Sequence, residues 1–565
     1  MQLKSQLDTI IKKAFVDAGI DQDPILVTEA TKSEFGDYQF NGAMALSKKL
    51  GKNPREIASN IADHIDTSGL IDKVEIAGPG FINIWIDPIW LAQNLQLAHD
   101  DDTLLIEKRK SPIKTVVDYS SPNMAKQMHV GHLRSTIIGD TLAKLFEFLG
   151  DEVIRQNHIG DWGTQFGMLI AYMEQSGEDA DSSLQDLEQF YKDAKKKFDE
   201  DPVFADKSRE YVVKLQGGDE YCLNLWQKFI DVSLGHCEDV YDKLSIDLTR
   251  DDVRAESSYN DVLQETVDKL NNTGILTESN GAQCVFVDDS ETPFIVQKSD
   301  GGFLYATTDL AAIRYRVDVL GAKRICYVVD ARQSGHFKQL FKVARMAGFV
   351  DDSIKLEHVS FGMMLDQSGR PFKTRDGGTV KLIDLLDEAV SRAKSMIESR
   401  QTHSADDIDN VAKVVGIGAV KYAELSVNRE SNYIFDWDKM LSFEGNTSLY
   451  LQYAYARIQS ILRKYGHTPQ GKIILDDELE RSLGVMLLRF GDVLEAAARE
   501  SMPHFISAYL YDLTTLFMKF YENNPILKDG IDEDIKISRL ILSDLVAKTI
   551  RQGLEILGIE VLDRL

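Results

Sequence analysis

The chain has 565 residues, a formal net charge of −26, and a composition of 43% hydrophobic and 27% charged residues. This length predicts three or four domains, and the absence of a run of about 18 apolar residues excludes a membrane-spanning helix. The four cysteines form no C-x-x-C pair, so we expect free thiols in a reducing cytoplasm and no zinc. The negative charge is a mild objection to a nucleic-acid partner, since it does not exclude local basic patches.

Residues 1–110 are predicted to form a separate α/β domain. Apolar residues at helical spacing predict one helix at the N-terminus and a second over residues 39–50. Asn53 and Pro54 are typical of the N-cap and the first position of a helix. The run 74–86 predicts two short strands around a Gly-Pro-Gly turn.

Residues 111–383 are predicted to form a doubly wound α/β domain of the Rossmann type. A buried-strand run, an amphipathic helix that ends near Gly150 and a further strand make a βαβ unit, so a parallel sheet is expected. Charged helical sequence over about 171–290 reads as an insertion. A hairpin over 294–309 and two more helix–strand pairs complete the sheet.

From residue 384 onward the sequence is almost wholly helical. Residues 384–449 are predicted to form a helical junction, and residues 450–565 a separate all-α domain. The fold class is therefore α/β, with an N-terminal α/β domain, a split catalytic domain and a C-terminal helical bundle.

The tetrapeptide from His129 to His132 marks a candidate site after the first strand of the βαβ unit. A metal site is disfavoured, because the pair lacks a third ligand and a carboxylate base; packing histidines are a commoner alternative. Gly131, at the first turn of the helix, permits a ligand to approach the backbone closely. Helix N-termini attract anions, and doubly wound sheets bind ligands outside the carboxyl ends of their strands. The tetrapeptide therefore favours a phosphate cradle in which imidazoles donate to phosphate oxygens.

The HVGH stretch resembles the HIGH signature of class I aminoacyl-tRNA synthetases, and SSPNMAKQMHVGHLRST is similar to its form in arginyl-tRNA synthetases. Other similar segments follow in the order of that family: FGDYQFNGAMALSKKLG, VEIAGPGFINI, NHIGDWGTQFGMLI, GGFLYATTDLA, VVDARQSGH and FEGNTSLYLQYAYAR. The resemblance covers essentially the whole chain. It implies that ATP and L-arginine form an adenylate and diphosphate, after which arginine passes to the terminal adenosine of tRNA(Arg).

The resemblance also implies the ligands of the enzyme. Mg²⁺ is expected to accompany ATP without a dedicated protein site, and a cytoplasmic monomer is expected. A small-molecule adenylyltransferase or ligase of the HxGH type, which uses no tRNA, is the alternative. Such an enzyme would not need the residues before 110 or after 450. A tRNA-binding relative without catalytic activity is a third possibility.

The second class I signature, KMSKS, departs from the usual pattern. The corresponding stretch RPFKTRDGG contains one clear lysine, Lys373, and Arg375 stands near the place of the second; a solvated hairpin is the structural alternative. In related sequences that lack this lysine, a lysine precedes the first HIGH histidine. Lys126 occupies that position, and the resemblance implies that it replaces the missing charge.

A carboxylate beside an aromatic surface suits a guanidinium group, and such a site rejects lysine. Tyr305 and Asp309 are four residues apart at the predicted start of a helix, so both can face one pocket. Taken alone, Asp309 is typical of an acid at a helix N-terminus and Tyr305 of a strand residue. The resemblance assigns arginine binding to these residues: Asp118, Ser121, Asn123, His132, Tyr305, Asp309 and Gln333. It assigns ATP binding to these: His129, Gly131, His132, Asp330, His336, Lys373 and Arg375.

By the same resemblance, the N-terminal domain contacts the elbow of the tRNA through Phe81 and Asn83. The helical domain from about residue 450 binds the anticodon. There Tyr453, Tyr455 and Arg457 belong to an aromatic and basic cluster of the kind that stacks on unpaired bases. Packing between helices is the alternative for part of this cluster.

Overall fold

The computed structural model describes residues 3–20, 27–176, 187–288, 292–372, 380–400 and 405–565. Internal contacts divide the chain into two compact units. One is Arg109–Met440, and the other combines Met1–Lys108 with Leu441–Leu565. Each helix in the described ranges is too short or too polar to cross a lipid bilayer.

A four-stranded parallel sheet organises the unit Arg109–Met440, as predicted. Its strands, in spatial order, are Lys355–His358, Arg324–Tyr327, Lys114–Asp118 and Glu152–Gln156. The first strand in the chain is an inner strand, and later strands are added first on one side of it and then on the other. The strand order therefore reverses beside it. The two strands at this point end at Asp118 and Tyr327, which are register partners.

The predicted βαβ unit is confirmed, and its helix is Val130–Phe148. Apolar strand residues such as Val116 and Ile325 are fully buried and belong to a core cluster with Phe337 and Leu340 of a later helix. Further helices described in this unit are Thr164–Ser176, Leu187–Glu200, Pro202–Gln216, Glu220–Leu244, Leu263–Asn272, Tyr305–Arg314, Ser334–Met346, Leu382–Arg400, Ala405–Leu425 and Trp437–Met440. Smaller sheets pair Thr277–Ser279, Ala282–Val285 and Phe294–Gln297, and pair Met364–Leu365 with Tyr433–Ile434.

The hairpin predicted over 294–309 forms only as far as Phe303, which makes an antiparallel bridge with Gln297. Strand Phe294–Gln297 forms and the chain turns at Gly301, which has a φ of +82°. A helix then begins at Tyr305, which confirms the helix start predicted at Tyr305 and Asp309. The helix is stabilised by packing, because Leu310 and the three apolar residues that follow it are all buried.

The second unit contains a four-stranded sheet and nine described helices. The strands, in spatial order, are Thr28–Glu29, Tyr38–Phe40, Phe81–Ile86 and Ile71–Ala77, all antiparallel. The helices are Leu3–Asp17, Ala43–Leu50, Pro54–Ala62, Pro88–Asp100, Ser448–Tyr465, Glu478–Leu488, Phe490–Glu500, His504–Asn523 and Glu533–Ile556. The strand pair around the Gly-Pro-Gly turn is confirmed. The helix predicted over 39–50 begins only at Ala43, because the residues before it pair as an inner strand.

Polar side chains link the two chain segments of this unit. The buried Asp37 accepts from Nη1 of Arg481 at 2.8 Å and from the backbone N–H of Ile86 at 2.7 Å. His99 lies between the carboxylates of Asp100 and Asp544, at 3.0 Å from each. These contacts join residues more than 400 positions apart into one unit.

Candidate active site

A cavity of about 640 Å³ opens in the unit Arg109–Met440 beside the ends of two parallel strands, at Asp118 and Tyr327. The predicted arginine- and ATP-binding residues that line it are Asp118, Ser121, Asn123, His129, Gly131, His132, Tyr305, Asp309, Asp330, Gln333 and His336. Lys126 is not among the lining residues. Lys373 and Arg375 lie outside the described residues.

The two histidines of HVGH form a capping box at the N-terminus of helix Val130–Phe148. The Nδ1 atom of His129 accepts from the backbone N–H of Gly131 at 3.0 Å, and the backbone N–H of His129 donates to Nδ1 of His132 at 3.1 Å. A neutral imidazole whose Nδ1 accepts carries its proton on Nε2. Each ring therefore has Nε2–H as its donor.

Both histidines are neutral at pH 7. Burial lowers the pKa of His132 to about 4. Burial and the nearby charge of Lys126 also lower the pKa of His129. Each neutral ring can donate a hydrogen bond from Nε2 to a group in the cavity.

Gly131 has a packing role that the sequence reasoning missed. A Cβ atom at this position would lie 2.7 Å from Cε1 and 2.8 Å from Nδ1 of His129. The glycine therefore permits the His129 ring to cap the helix, in addition to the close ligand approach that we predicted.

The loop that leads to the cradle has an unusual backbone. Ser120, Ser121 and Ala125 have positive φ values of 67°, 45° and 69°. Other elements hold it in place: the Ser121 N–H donates to Oδ1 of Asn157 at 3.0 Å, and the Ala125 N–H donates to Oγ of Ser233 at 2.9 Å. Such strain is found where the surrounding structure fixes a functional segment.

Asp118 is paired with Arg316, a residue that the sequence reasoning missed. Arg316 is fully buried in a π-helical turn, and its Nη2 donates to Oδ2 of Asp118 at 2.7 Å. The hydroxyl of Ser121 donates to the other oxygen, Oδ1, at 2.9 Å. Because its charge is compensated in this way, Asp118 supports the cavity wall and presents no uncompensated charge to a ligand.

Asn123 lies against a glycine of the NHIGDWG segment. A Cβ atom on Gly160 would lie 2.2 Å from Oδ1 of Asn123. The two residues form an isolated parallel bridge, and the N–H of Met124 donates to the Gly160 carbonyl at 2.9 Å. Gly160 therefore provides the space that places the Asn123 amide in the cavity.

Asp309 and His336, which the resemblance assigned to different substrates, are in direct contact. Oδ2 of Asp309 lies 2.6 Å from Nε2 of His336. Tyr305, one helical turn before Asp309, is 70% exposed and leaves its ring open to the cavity. In this structure one carboxylate oxygen of Asp309, the residue predicted to bind the guanidinium group, is therefore hydrogen bonded to His336.

Glu256 is a second carboxyl in this part of the cavity, and no motif identified it. It lies in a 3₁₀ segment within the predicted insertion and lines the cavity together with Asp309. Burial raises its pKa to about 7, and the charges of Asp161 and Asp309 contribute. A carboxyl that is half-protonated near pH 7 is a candidate functional group. Its burial between two acids is a tertiary property that no local pattern reveals.

A second cavity, of about 770 Å³, shares Glu256 and Tyr305 with the first. Its lining also includes Trp162, Phe303 and Lys298. The two cavities therefore meet at the predicted guanidinium site.

Lys126 lies outside the cavity, close to the inserted segment. Its ammonium group is 4.7 Å from the ring centre of Tyr191. The residue is exposed, so that it remains accessible to an anion bound at the cradle.

The predicted RNA-contacting residues differ in exposure. Asn83 is buried, and its Oδ1 accepts from Gln39 at 2.7 Å, whereas Phe81 is half-exposed. Tyr455 is fully buried and its hydroxyl donates to Asp563 at 3.1 Å. In this arrangement Asn83 and Tyr455 are packing residues, because buried groups cannot stack on or pair with a base.

Tyr453 and Arg457 remain accessible on the helical part of the same unit. Both are half-exposed. The guanidinium of Arg457 lies 5.7 Å from the ring centre of Tyr453 and 4.9 Å from that of Tyr521. Tyr521 is thus a further member of this cluster that sequence reasoning missed.

Comparison with known families assigns each part of the chain. Residues 94–437 match the catalytic domain of class I tRNA synthetases (R), residues 451–565 the DALR anticodon binding domain, and residues 1–86 the arginyl tRNA synthetase N-terminal domain. The chain belongs to the arginyl-tRNA synthetase family.

Individual arginyl-tRNA synthetases match over their whole length. The chain is 53% identical to the arginine–tRNA ligase of Cellvibrio japonicus and 52% identical to that of Pseudoalteromonas atlantica, with 100% of both chains covered in each case. The solved arginyl-tRNA synthetase of Plasmodium falciparum superimposes with a TM-score of 0.88 at 32% identity, again over 100% of both chains. Like these arginyl-tRNA synthetases, the chain is a class I enzyme with an α/β catalytic domain and a helical anticodon-binding domain. The matched anticodon-binding domain argues against the alternative of an HxGH enzyme that uses no tRNA.

Proposed function

We propose that this chain activates L-arginine with ATP, releases diphosphate, and transfers arginine to tRNA(Arg) with release of AMP. One observation carries the proposal: a single cavity has two neutral imidazole donors, His129 and His132, together with the carboxyl groups of Asp309 and Glu256. Donors suit a phosphate group, and carboxylates suit a guanidinium cation. An arginyl adenylate requires both kinds of partner in one site.

At the phosphate end, Nε2–H of His129 and of His132 donates to phosphate oxygens as charge develops at the α-phosphate. Lys126 and the undescribed Lys373 and Arg375 neutralise the leaving diphosphate. Mg²⁺ accompanies ATP as part of the substrate and is bound mainly by phosphate and water. No covalent enzyme intermediate is required, since positioning and charge stabilisation suffice for this step.

The rest of the cavity provides contacts for the nucleoside and, at Gly131, for the α-phosphate. Asp330, which follows the parallel strand Arg324–Tyr327, is placed to bind the ATP ribose, although its carboxylate is now paired with Arg332 at 2.7 Å. The backbone at Gly131 lies at the helix N-terminus, where an α-phosphate is stabilised by the helix dipole. His336 also contacts the nucleotide in this region.

At the guanidinium end, Asp309 and Glu256 accept hydrogen bonds from the arginine side chain, and the exposed ring of Tyr305 packs against its plane. His336 leaves Asp309 when arginine enters. Lysine is rejected, because its compact ammonium group leaves one of the carboxylates without a partner. Asn123 and Gln333 bind the α-amino and carboxyl end.

We further propose that the second cavity receives the 3′-terminal adenosine of the tRNA. It adjoins the arginine site at Glu256 and Tyr305, and the aromatic groups of Trp162 and Phe303 suit a stacked base.

The chain's other unit supplies contacts to the tRNA body. Phe81 stacks on a splayed loop base, with Asn83 holding the neighbouring Gln39 in place. Tyr453, Arg457 and Tyr521 present an aromatic and basic surface to the anticodon loop. We propose that the enzyme acts as a monomer in the cytoplasm, where its tRNA and ATP are available.

The test is aminoacylation of unfractionated tRNA with each of the twenty amino acids in turn, combined with ATP–diphosphate exchange in the presence and absence of tRNA. Charging with arginine alone is expected. Exchange with arginine but no charging of any tRNA would support the small-molecule adenylyltransferase. Charging with a different amino acid would contradict the arginine site.

A further inference from the structure

Helix Leu187–Glu200 of the inserted segment contacts the two stretches that flank the phosphate cradle. The ring centre of Tyr191 lies 4.7 Å from the ammonium group of Lys126. Glu188, three residues earlier on the same face of this helix, pairs with Lys381 at 2.8 Å.

These two lysines belong to backbone segments that are hydrogen bonded to each other. The N–H of Val130 donates to the Val380 carbonyl at 3.1 Å, and the N–H of Leu382 donates to the Met128 carbonyl at 3.0 Å. The inserted helix therefore contacts both of these paired backbone segments. Its contact on the first segment, Lys126, is three residues before His129.

We propose that Tyr191 is a positioning residue that holds the ammonium group of Lys126 beside the phosphate cradle. The inference rests on the proposed role of Lys126 in neutralising phosphate charge. A lysine side chain has four rotatable bonds, and ordering it costs conformational entropy. A cation over an aromatic face is stabilised by the ring quadrupole, so Tyr191 restricts Lys126 before the nucleotide binds.

A purely structural role for Tyr191 makes a different prediction. Tyr191 is half-exposed and does not belong to the fully buried residues of the chain. If it only packed between helices, a leucine of similar bulk would replace it. If its aromatic face holds the cation, phenylalanine replaces it and leucine does not.

The test compares Tyr191→Leu, Tyr191→Phe, Lys126→Met and the double variant Lys126→Met/Tyr191→Leu in the full-length enzyme. Phe198→Leu is the matched control, because Phe198 lies on the same helix and makes the same kind of contact with Lys195, at 5.5 Å, away from the cradle. Two rates are measured: ATP–diphosphate exchange with arginine and tRNA, and transfer of arginine from preformed adenylate to tRNA.

We expect Tyr191→Leu to lower exchange about fivefold, the effect of one surface cation–π contact, and to leave transfer unchanged. Tyr191→Phe and Phe198→Leu should match the parent enzyme, and Tyr191→Leu should have no further effect in the Lys126→Met background. Equal losses in exchange and transfer, or additive effects in the double variant, would overturn the positioning role.

The outcome for Lys126→Met separates the proposed role of Lys126 from the positioning role of Tyr191. A large loss of exchange in Lys126→Met, with normal exchange in Tyr191→Leu, would overturn the inference about Tyr191 and leave the role of Lys126 intact. Normal exchange in Lys126→Met would remove the proposed role of that lysine and the inference with it.

Discussion

The Nδ1 atom of His132 accepts the backbone N–H of His129 at 3.1 Å. This hydrogen bond fixes the tautomer of the His132 ring and leaves Nε2–H as its donor. The proposed phosphate cradle is therefore part of the helix N-terminus, because the two histidines that cap the helix also carry the proposed donors to phosphate.

The first prediction separates the two nitrogens of His132. In His132→Gln the side-chain amide reaches the position of Nε2, whereas in His132→Asn it reaches only that of Nδ1. We expect His132→Asn to lower adenylate formation by about 2–4 kcal/mol of transition-state stabilisation, and His132→Gln to lose clearly less. The measurement is single-turnover adenylate formation, with circular dichroism as the folding control. A larger loss in His132→Gln than in His132→Asn would show that the capping bond, and not the donor, is what matters.

The second prediction concerns Asp309. Asp309→Asn keeps the size of the side chain and removes the charge that is proposed to face the guanidinium. The KM for arginine should rise on the order of 100-fold, while the KM for ATP changes little. Asp318→Asn, an exposed acid on the continuation of the same helix, is the control. Parallel increases in both constants would place Asp309 outside the arginine site.

The third prediction is a pH dependence of arginine binding. The pKa of Glu256 is raised to about 7, so the carboxyl is largely protonated at pH 6 and ionised at pH 8. A guanidinium favours the ionised form; binding should therefore tighten as the pH rises from 6 to 8 and should release about half a proton at pH 7.

Calorimetry in buffers of different ionisation enthalpy measures this proton release directly. Glu256→Gln cannot titrate and is expected to lose the part of the release due to this residue. An unchanged proton count in that variant would assign the proton release to a group other than Glu256.

The fourth prediction concerns the space beside Asn123. In Gly160→Ala the new Cβ would lie 2.2 Å from Oδ1 of Asn123, so the amide must move. The KM for arginine should rise by about 10- to 100-fold, because a buried polar group of the substrate loses its partner. Gly235→Ala is the matched control, since a Cβ at that helical position has nothing within 4 Å. Normal arginine kinetics in Gly160→Ala would show that Asn123 does not bind the substrate.

The fifth prediction concerns stability. Arg481→Ala leaves the buried carboxylate of Asp37 without its guanidinium partner. The free energy of unfolding of the unit that contains both residues should fall by about 3–5 kcal/mol. Urea unfolding followed by circular dichroism measures the change, and the exposed Lys528→Ala should stay within about 0.5 kcal/mol of the parent. A loss as small as that of Lys528→Ala would show that Asp37 is stable without Arg481.

The sequence by itself determined the features that depend on nearby residues. The βαβ unit and the start of its helix at His129 and Val130 were predicted correctly. They were predictable because each results from local periodicity, helix capping or the strand–helix junction, which involve residues a few positions apart. The predicted hairpin extends only to Phe303, because the helix that was predicted from the spacing of Tyr305 and Asp309 begins directly after it.

Only the tertiary structure decided which charges are available. Asp118 and Arg316 are 198 positions apart, yet their pairing removes Asp118 from the set of open carboxylates. Glu256 gains its raised pKa from burial beside acids of other segments, and Lys126 lies over Tyr191 of the insertion. Such relationships have no period in the sequence, because desolvation and Coulomb interactions depend on distances that exist only after the chain has folded.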